Sequence, residues 1–430
     1  MTADEEGSRP GTAAAHTQSC VTLVEHAPAV SVALPDGVGR ALAAGDAVDA
    51  APDPYTPGRW SLRAGSKVGA VSVTASGLRE PFTVRVTPKV PITRLFFLLG
   101  YSLDPRGGWR DGEVDVAEHR DLVPALAHAV ERQVDRALRR GLLQGYRATE
   151  ESALVVHGRI REAEQIRRRF GTMLPLEVAY DEFTTDIAEN RVLRTAVERL
   201  LRLPGVPRDV RRRLLHQRAR LADVTPVVRG RRLPAWRPSR LNARYQHALH
   251  LARAVLDGAS VEHAPGGLRI DGFLFDMNRL FEDFVTVALR EALSGTDHTV
   301  RLQDSHHLDE ASAVRMRPDL VLYGPDGTPC AVADAKYKAE KRGGYPDADL
   351  YQMLAYCTAL GLDEGHLVYA KGNASHAAHR VRHAGIMIHQ HALDLDQDPA
   401  GLLADIAQIA RRIRYGRREQ APLRAGGAPV

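Results

Sequence analysis

Cysteine is scarce. Only Cys20, Cys330 and Cys357 occur in 430 residues, and no CxxC pair is among them. That argues against a disulfide framework and against a cysteine zinc site, and it fits a reducing cytoplasm, where the chain is expected to reside. Uncharged apolar runs long enough to span a bilayer, about eighteen residues or more, are also missing, so no membrane association is expected. Met1 to Gly11 is polar and acidic, without a basic stretch leading into an apolar one, and reads as no secretory signal. There is no G-x-S-x-G elbow and no G-x-G-x-x-G fingerprint, which removes the corresponding hydrolase and dinucleotide readings.

What remains is an ordinary globular composition, 44% hydrophobic and 26% charged. The chain is long enough for two or three domains. A net charge of +5 and a pI near 9.1 point modestly to a polyanionic partner. A GC-rich genome would give the same arginine excess. The excess is locally dense between Arg208 and Arg240, with Arg211, Arg212, Arg213, Arg218 and Arg220 among its members. Such a run can track phosphates or can be the solvated face of a helix.

The pattern changes along the chain in four steps. Residues 1–17 are small, polar and without periodicity, and read as disordered. Residues 18–115 form a β-rich region: Val68 to Thr74 and Phe82 to Thr87 alternate apolar with polar residues, and Asp36-Gly and Pro57-Gly read as turns. Leu95 to Tyr101 is a short apolar run suited to a buried helix. Residues 116–258 read as mainly helical, with helices expected at 122–143, 190–203 and 240–256, the first closed by Gly141 and Gly145. A strand is expected at 154–160. Residues 259–430 alternate: helix 276–293, strand 314–322, turn 324–328, strand 331–337, helix 347–360, strands 366–370 and 384–389, helix 402–414. The whole is an α+β multidomain chain ending in an α/β module with a mixed central sheet.

The chemistry concentrates on the hairpin in that last module. Its strands carry Arg317-Pro318-Asp319 and Asp334-Ala-Lys336. Asp334 and Lys336 are two apart and leave the same strand face. Two carboxylates facing one point suit Mg²⁺, which takes a few carboxylates plus water and substrate phosphate. A neighbouring lysine can orient the attacking water, which together implies metal-assisted phosphodiester hydrolysis. A bare D-x-K also suits an edge-strand salt bridge. Against that, both acids interrupt apolar strands, where an unpaired charge is costly, and the turn spacing suits a hairpin. Glu282 borders the apolar face of the helix before the hairpin. It supplies either a third acid to the metal or a partner for Arg279. Gln352 and Tyr356 lie one turn apart on the following helix and can contact phosphate or a water. Lys338, Lys341 and Arg342, just after the lysine strand, are candidate DNA contacts.

A helix acid (Glu282), a Pro318-Asp319 strand, an Asp334-Ala-Lys336 strand and a Gln352-x-x-x-Tyr356 helix, in that order, resemble the PD-(D/E)xK nuclease superfamily. More narrowly the chain resembles the McrC family. The supporting segments include Thr87 to Thr93, Arg140 to Tyr146, Asp181 to Asn190 and Asp276 to Val285, and the resemblance covers roughly residues 88–370. It implies the endonuclease subunit of a 5-methylcytosine-dependent restriction system, with Asp319, Asp334 and Glu282 on Mg²⁺ or Mn²⁺. It also implies DNA as substrate and an McrB-like AAA+ GTPase hexamer as partner, entered by the N-terminal region and stimulated by this subunit. The chain has no GxxxxGK[ST] loop, so any nucleotide motor is a separate protein. A standalone nuclease in repair or recombination and a non-catalytic adaptor of a AAA+ motor are the competing readings. His389-x-His391 and His306-His307 lack further ligands at regular spacing, which argues against zinc.

Overall fold

The computed structural model describes residues 19–74, 80–105, 121–264, 268–337, 347–370 and 376–415. Lys338, Lys341 and Arg342 lie outside the described residues, as does the segment expected to be disordered.

The N-terminal part holds β1 (Cys20–Val24), β2 (Val30–Ala33), α1 (Asp36–Ala44), β3 (Asp49–Pro52), β4 (Arg59–Arg63), β5 (Lys67–Thr74) and β6 (Phe82–Thr87). Asp36-Gly, expected as a turn, instead opens helix α1, because Pro35 starts it and Val38, Ala41 and Leu42 give it a buried face. Gly39 on that helix packs flat against Trp60, where any Cβ would sit about 2.0 Å from the indole. α2 (Ile92–Leu103) is the buried helix expected from the Leu95 run, and α3 (Leu122–Leu138) follows. α3 stops before the expected end: Gly141 turns the chain at φ +85°, and Gly145 opens a strand rather than closing the helix.

An arm then leaves the body: β7 (Gly145–Ala153), β8 (Arg159–Ile160), α4 (Glu162–Arg169) and β9 (Leu176–Thr184). β7 and β9 pair antiparallel from Gly145↔Thr184 to Ala153↔Leu176, a ribbon of roughly 30 Å at strand rise. The strand expected at 154–160 is displaced. The ladder is made by the preceding charged residues, while Leu154, Val155 and Val156 sit exposed in the bend at the ribbon's end. The arm holds itself together largely by ion pairs, Arg147 with Glu182 and Asp186, and Glu177 with Arg168 and Arg169, and the Ser152 hydroxyl also donates to Glu177.

α5 (Ala188–Arg202), α6 (Arg208–Arg220) and α7 (Gln246–Gly258) complete the helical middle. Much of the dense arginine run on α6 faces inward. Arg211 donates to the carbonyls of Leu201 and Leu203, Arg213 pairs with Glu131 and Asp209, and Arg220 donates to the Leu138 carbonyl. Arg211 and Arg220 thereby cap helix ends, and Arg213 ties α6 to α3. Arg212, Arg213 and Arg218 remain exposed, Arg213 while ion-paired.

β10 (Ala259–Ala264) and β11 (Leu268–Asp276) come next, and they cross the boundary expected at 258/259. They join the N-terminal strands in one five-stranded sheet, order β1-β6-β5-β11-β10. β11 pairs with β5 from Arg269↔Thr74 to Asp276↔Lys67 and runs straight into α8 (Met277–Ala292). Asp276 caps that helix by accepting from the Asn278 amide.

The last module comprises β12 (Thr299–Leu302), β13 (His306–His307), β14 (Arg315–Met316), β15 (Leu320–Tyr323), β16 (Pro329–Lys336), α9 (Asp347–Leu360), β17 (Glu364–Ala370), β18 (Ala377–Arg380), β19 (Met387–Leu393) and α10 (Pro399–Tyr415). Its six-stranded sheet runs β12-β15-β16-β17-β19-β18 and is mixed, with β16/β17 and β17/β19 parallel and the remaining pairs antiparallel. Both faces are covered. Ala331, Ala333, Ala335 and Tyr337 face the main core with α8 and α10, while Val332 faces a second core with Met353, Tyr356 and Cys357 of α9.

α2 and α8 meet through Phe97, Tyr101 and Phe284, ring centroids 5.6–5.8 Å apart, with Phe284 fully buried. Phe284→Ala is therefore expected to cost about 3–5 kcal/mol. Urea unfolding checks this: a loss below about 1 kcal/mol would mean that the rings do not carry this junction.

Candidate active site

The hairpin β15–β16 is set by its turn. Gly324 donates to the Thr328 carbonyl at 2.9 Å, the Asp326 carboxylate accepts from the Thr328 amide at 3.1 Å, and Gly327 takes φ +79°. The register then runs Leu320↔Ala333, so the next antiparallel step sets Asp319 opposite Asp334. Alternation sends Asp334 and Lys336 to one face. Both acids are nearly inaccessible, Asp319 7% and Asp334 3% exposed.

Each carboxylate has a defined partner. Asp319 Oδ2 accepts from the Ala335 amide at 2.9 Å and Oδ1 from Gln303 Nε2 at 2.8 Å. The same Gln303 amide donates to Glu282 Oε1. Asp334 is ion-paired with Lys336 Nζ. Arg279 pairs with Asp283, not Glu282, so Glu282 turns toward the acids and the competing pairing falls away. Gln352 Nε2 donates to the Tyr356 hydroxyl at 2.9 Å, and that hydroxyl lies within the field of all three acids. The hairpin, the lysine, Glu282 and Tyr356 thus converge, with Gln352 joined at the exposed rim through Tyr356.

Gln303 was missed by sequence reasoning. It follows β12 with φ +53°, and its amide N–H also donates to the Asp319 carbonyl at 3.0 Å. A strained glutamine after a strand end leaves no recognisable signal in sequence, because its two acids are 16 and 21 residues away.

Among the described residues the site is short of positive charge. Burial pushes Asp319 and Asp334 up to about 6, and each feels further repulsion, Asp319 from Glu282 and Asp334 from Asp319. Burial likewise raises Glu282. Lys336 is raised despite its burial, because Asp334, Asp319 and Asp349 outweigh the desolvation. Among the described residues no three His, Cys, Asp or Glu side chains already surround one point as metal ligands. The donor set still fits Mg²⁺, which needs only one or two carboxylates with water and substrate oxygens completing its shell.

The histidines lie elsewhere. His366, His376, His389 and His391 stack on one another, on the sheet face that His366 shares with Ala333 and away from Asp334. His366 Nδ1 and His391 Nε2 share a hydrogen bond at 3.1 Å, and burial lowers both rings, His391 to about 3. A cavity of about 860 Å³ opens beside this stack, lined by Glu364, Asp405 and Arg412, and not beside the acids.

Residues 62–370 match the model of the McrBC family, described as McrBC 5-methylcytosine restriction system component. The chain belongs to this family. The resemblance to McrC proteins expected from the motifs is thereby borne out. No curated protein sequence matches the chain. Among solved structures, it is similar to a chain of the half-complex of Thermococcus gammatolerans McrB AAA+ hexamers with bound McrC. The two are 16% identical with a TM-score of 0.53, covering 92% of this chain and 100% of that one. A chain of the Thermococcus gammatolerans McrBC complex matches at 16% identity and a TM-score of 0.38, over 64% of this chain and 89% of that one. At this identity the first likeness speaks to the shared fold.

The raised carboxylates carry a pH dependence whose sign is fixed. Their folded-state values exceed the unfolded ones, so their contribution is fully present below about pH 4 and is lost as pH rises through about 6. Without divalent ions, Asp319→Asn is expected to stabilise the protein at pH 8 by on the order of 1–2 kcal/mol and to flatten this pH dependence. Thermal melting from pH 4 to 8 checks it. A destabilised variant at pH 8 would show that the Ala335 and Gln303 hydrogen bonds outweigh the repulsion.

Proposed function

We propose that this chain is the McrC-type nuclease subunit of a 5-methylcytosine-dependent restriction system, a Mg²⁺-dependent DNA endonuclease of PD-(D/E)xK type working with a AAA+ GTPase. The observation that carries the reading is the buried pair Asp319–Asp334 held in one hairpin register with Lys336 against it. Burying two carboxylates and supplying one ammonium is unfavourable for folding alone, and a divalent ion offsets it. Family membership supports the restriction role, and the shared fold with a protein from an McrB–McrC assembly supports the partner.

In this reading Asp319 and Asp334, with Glu282 beside them, hold Mg²⁺, or Mn²⁺ in its place. When bound, the ion supplies charge neutralisation at the phosphoryl oxygens and a lowered pKa for the attacking water. Lys336 keeps its proton on Nζ, orients that water and offsets the developing negative charge. Gln303 fixes Asp319 and Glu282 relative to each other. The Tyr356 hydroxyl, held protonated by burial and the nearby acids, donates toward phosphate, and Gln352 sets its direction.

The partner would dock on the arm. Its free end gathers Leu154, Val155, Phe170, Met173 and Leu174 in the open, with Phe170 89% and Met173 87% exposed. An apolar tip this exposed is characteristic of an interaction surface. This reading puts the docking surface on the arm, whereas the sequence led to residues 18–115 as the partner-binding region.

Lys336→Ala is expected to lower DNA cleavage at least about 100-fold while leaving partner assembly intact. The assay compares plasmid cleavage in Mg²⁺ with and without the GTPase and GTP. Cleavage by the chain alone would support a standalone nuclease. No wild-type cleavage under any condition, with partner GTP hydrolysis still accelerated, would support the adaptor reading.

Phe170→Ser combined with Met173→Ser is expected to reduce stimulation of the partner's GTP hydrolysis about tenfold or more, with melting temperature within about 2 °C of the parent. Undiminished stimulation would move the docking surface elsewhere.

A further inference from the structure

Tyr337 directly follows the lysine of the D-x-K strand but leaves the opposite face. There its ring lies 5.9 Å from Phe281 on α8, the neighbour of Glu282. Its hydroxyl donates to Glu25 Oε2 at 3.1 Å, across 312 residues of sequence. Glu25 stands just after β1, in the N-terminal sheet, and is fully buried. The same Oε2 accepts from the Lys89 amide at 3.1 Å, and the Glu25 amide donates to the Thr87 carbonyl at 3.0 Å. A carboxyl in this position is costly, and burial shifts it up to about 7 against the help of Lys89 and Tyr337. A leucine would avoid that cost but would leave the Lys89 amide and the Tyr337 hydroxyl without their acceptor, so the residue is accounted for by these directed contacts and not by burial.

A second joint lies beside it. Ser66, between β4 and β5, receives Asn278 Nδ2 at 2.7 Å, donates toward Asp276 Oδ1 at 3.4 Å, and accepts the Met277 amide on its carbonyl at 3.0 Å. The first turn of α8 is thus locked to the N-terminal sheet. The two elements that bring Glu282, Asp334 and Lys336 together are both tied to that sheet, and they touch each other at Phe281 and Tyr337.

We infer that Glu25 is a positioning residue for DNA cleavage: through the Tyr337 hydroxyl it fixes the end of the strand carrying Asp334 and Lys336, so that the placement of the N-terminal sheet is transmitted to the active site. The inference rests on the nuclease reading above. Its physical basis is the sensitivity of such sites to position, where a displacement of about 1 Å can cost about 100-fold in rate.

The test uses the full chain, with its GTPase partner and GTP where cleavage needs them. Tyr337→Phe keeps the ring against Phe281 and removes only the hydroxyl. It is expected to lower kcat for DNA cleavage about tenfold with KM for DNA unchanged. Glu25→Gln keeps an acceptor oxygen for Tyr337 and is expected to retain most of the rate. Glu25→Leu with Tyr337→Phe removes the carboxyl and the hydroxyl together and leaves only the Lys89 amide to find another acceptor, so it is expected to melt within a few degrees of the parent temperature and still cleave slowly. That combination separates positioning from stability. Full kcat in the double variant, or in Tyr337→Phe, would overturn the inference. A loss of rate that tracks melting temperature in all three variants would overturn it as well. Absence of wild-type cleavage would instead remove the nuclease reading, and the inference with it.

Discussion

Two carboxylates are buried side by side on neighbouring strands, and much of the surrounding structure follows from making that tolerable. Asp319 and Asp334 occupy one antiparallel step, where burial raises the proton affinity of both, with added repulsion on Asp319 from Glu282 and on Asp334 from Asp319. The Ala335 amide, the Gln303 side chain and the Lys336 ammonium each relieve part of the cost. None cancels it, since both acids remain well above the ordinary carboxylate range. In the proposed reading a bound cation would offset the remainder; Glu282, a third acid, shares the Gln303 amide with Asp319, while the nearby Arg279 takes Asp283.

The acids are held by a frame assembled from distant parts of the chain. The hairpin is local, whereas α8 begins where β11 ends, and β11 is a strand of the N-terminal sheet. The main core runs without a break from Val21 and Leu23 through Phe281 and Phe284 to Ile409 and Ile413. The N-terminal strands and the hairpin carrying Asp319 and Asp334 therefore share packing, and Glu25 and Ser66 add directed hydrogen bonds across the same junction. The arm is the contrast. Its ribbon depends on its own ladder and ion pairs, and its apolar end is left in solvent.

Sequence reading succeeded where the physical signal is local. Leu95 to Leu99 announced a buried helix because apolar residues ran together, and the turn at Gly324 to Thr328 predicted the hairpin that aligns the acids. Gln352 and Tyr356 met as one helical turn requires. It failed where the signal is non-local or disguised. Residues 145–153 are so charged that their strand shows no apolar alternation, and the apolar Leu154 to Val156 that looked like a strand is the bend after it. The arginines of α6 suggested a phosphate track, yet Arg211, Arg213 and Arg220 are used on carbonyls and acids of neighbouring helices. His389-x-His391, which lacked further ligands in sequence, stacks with His366 and His376, and strand register sets His366 beside His389.

By itself the sequence determined the mixed α and β character, the order of the chemical groups and the hairpin carrying Asp319, Asp334 and Lys336, because alternation, turn chemistry and helical spacing act over a few residues. Only the tertiary structure decided that β10 and β11 belong to the N-terminal sheet, that Gln303 links Glu282 to Asp319, and that Glu25 reaches Tyr337. Those contacts join residues from 16 to 312 positions apart. No short-range pattern encodes them, since they exist only once sheets have chosen their registers and the core has closed.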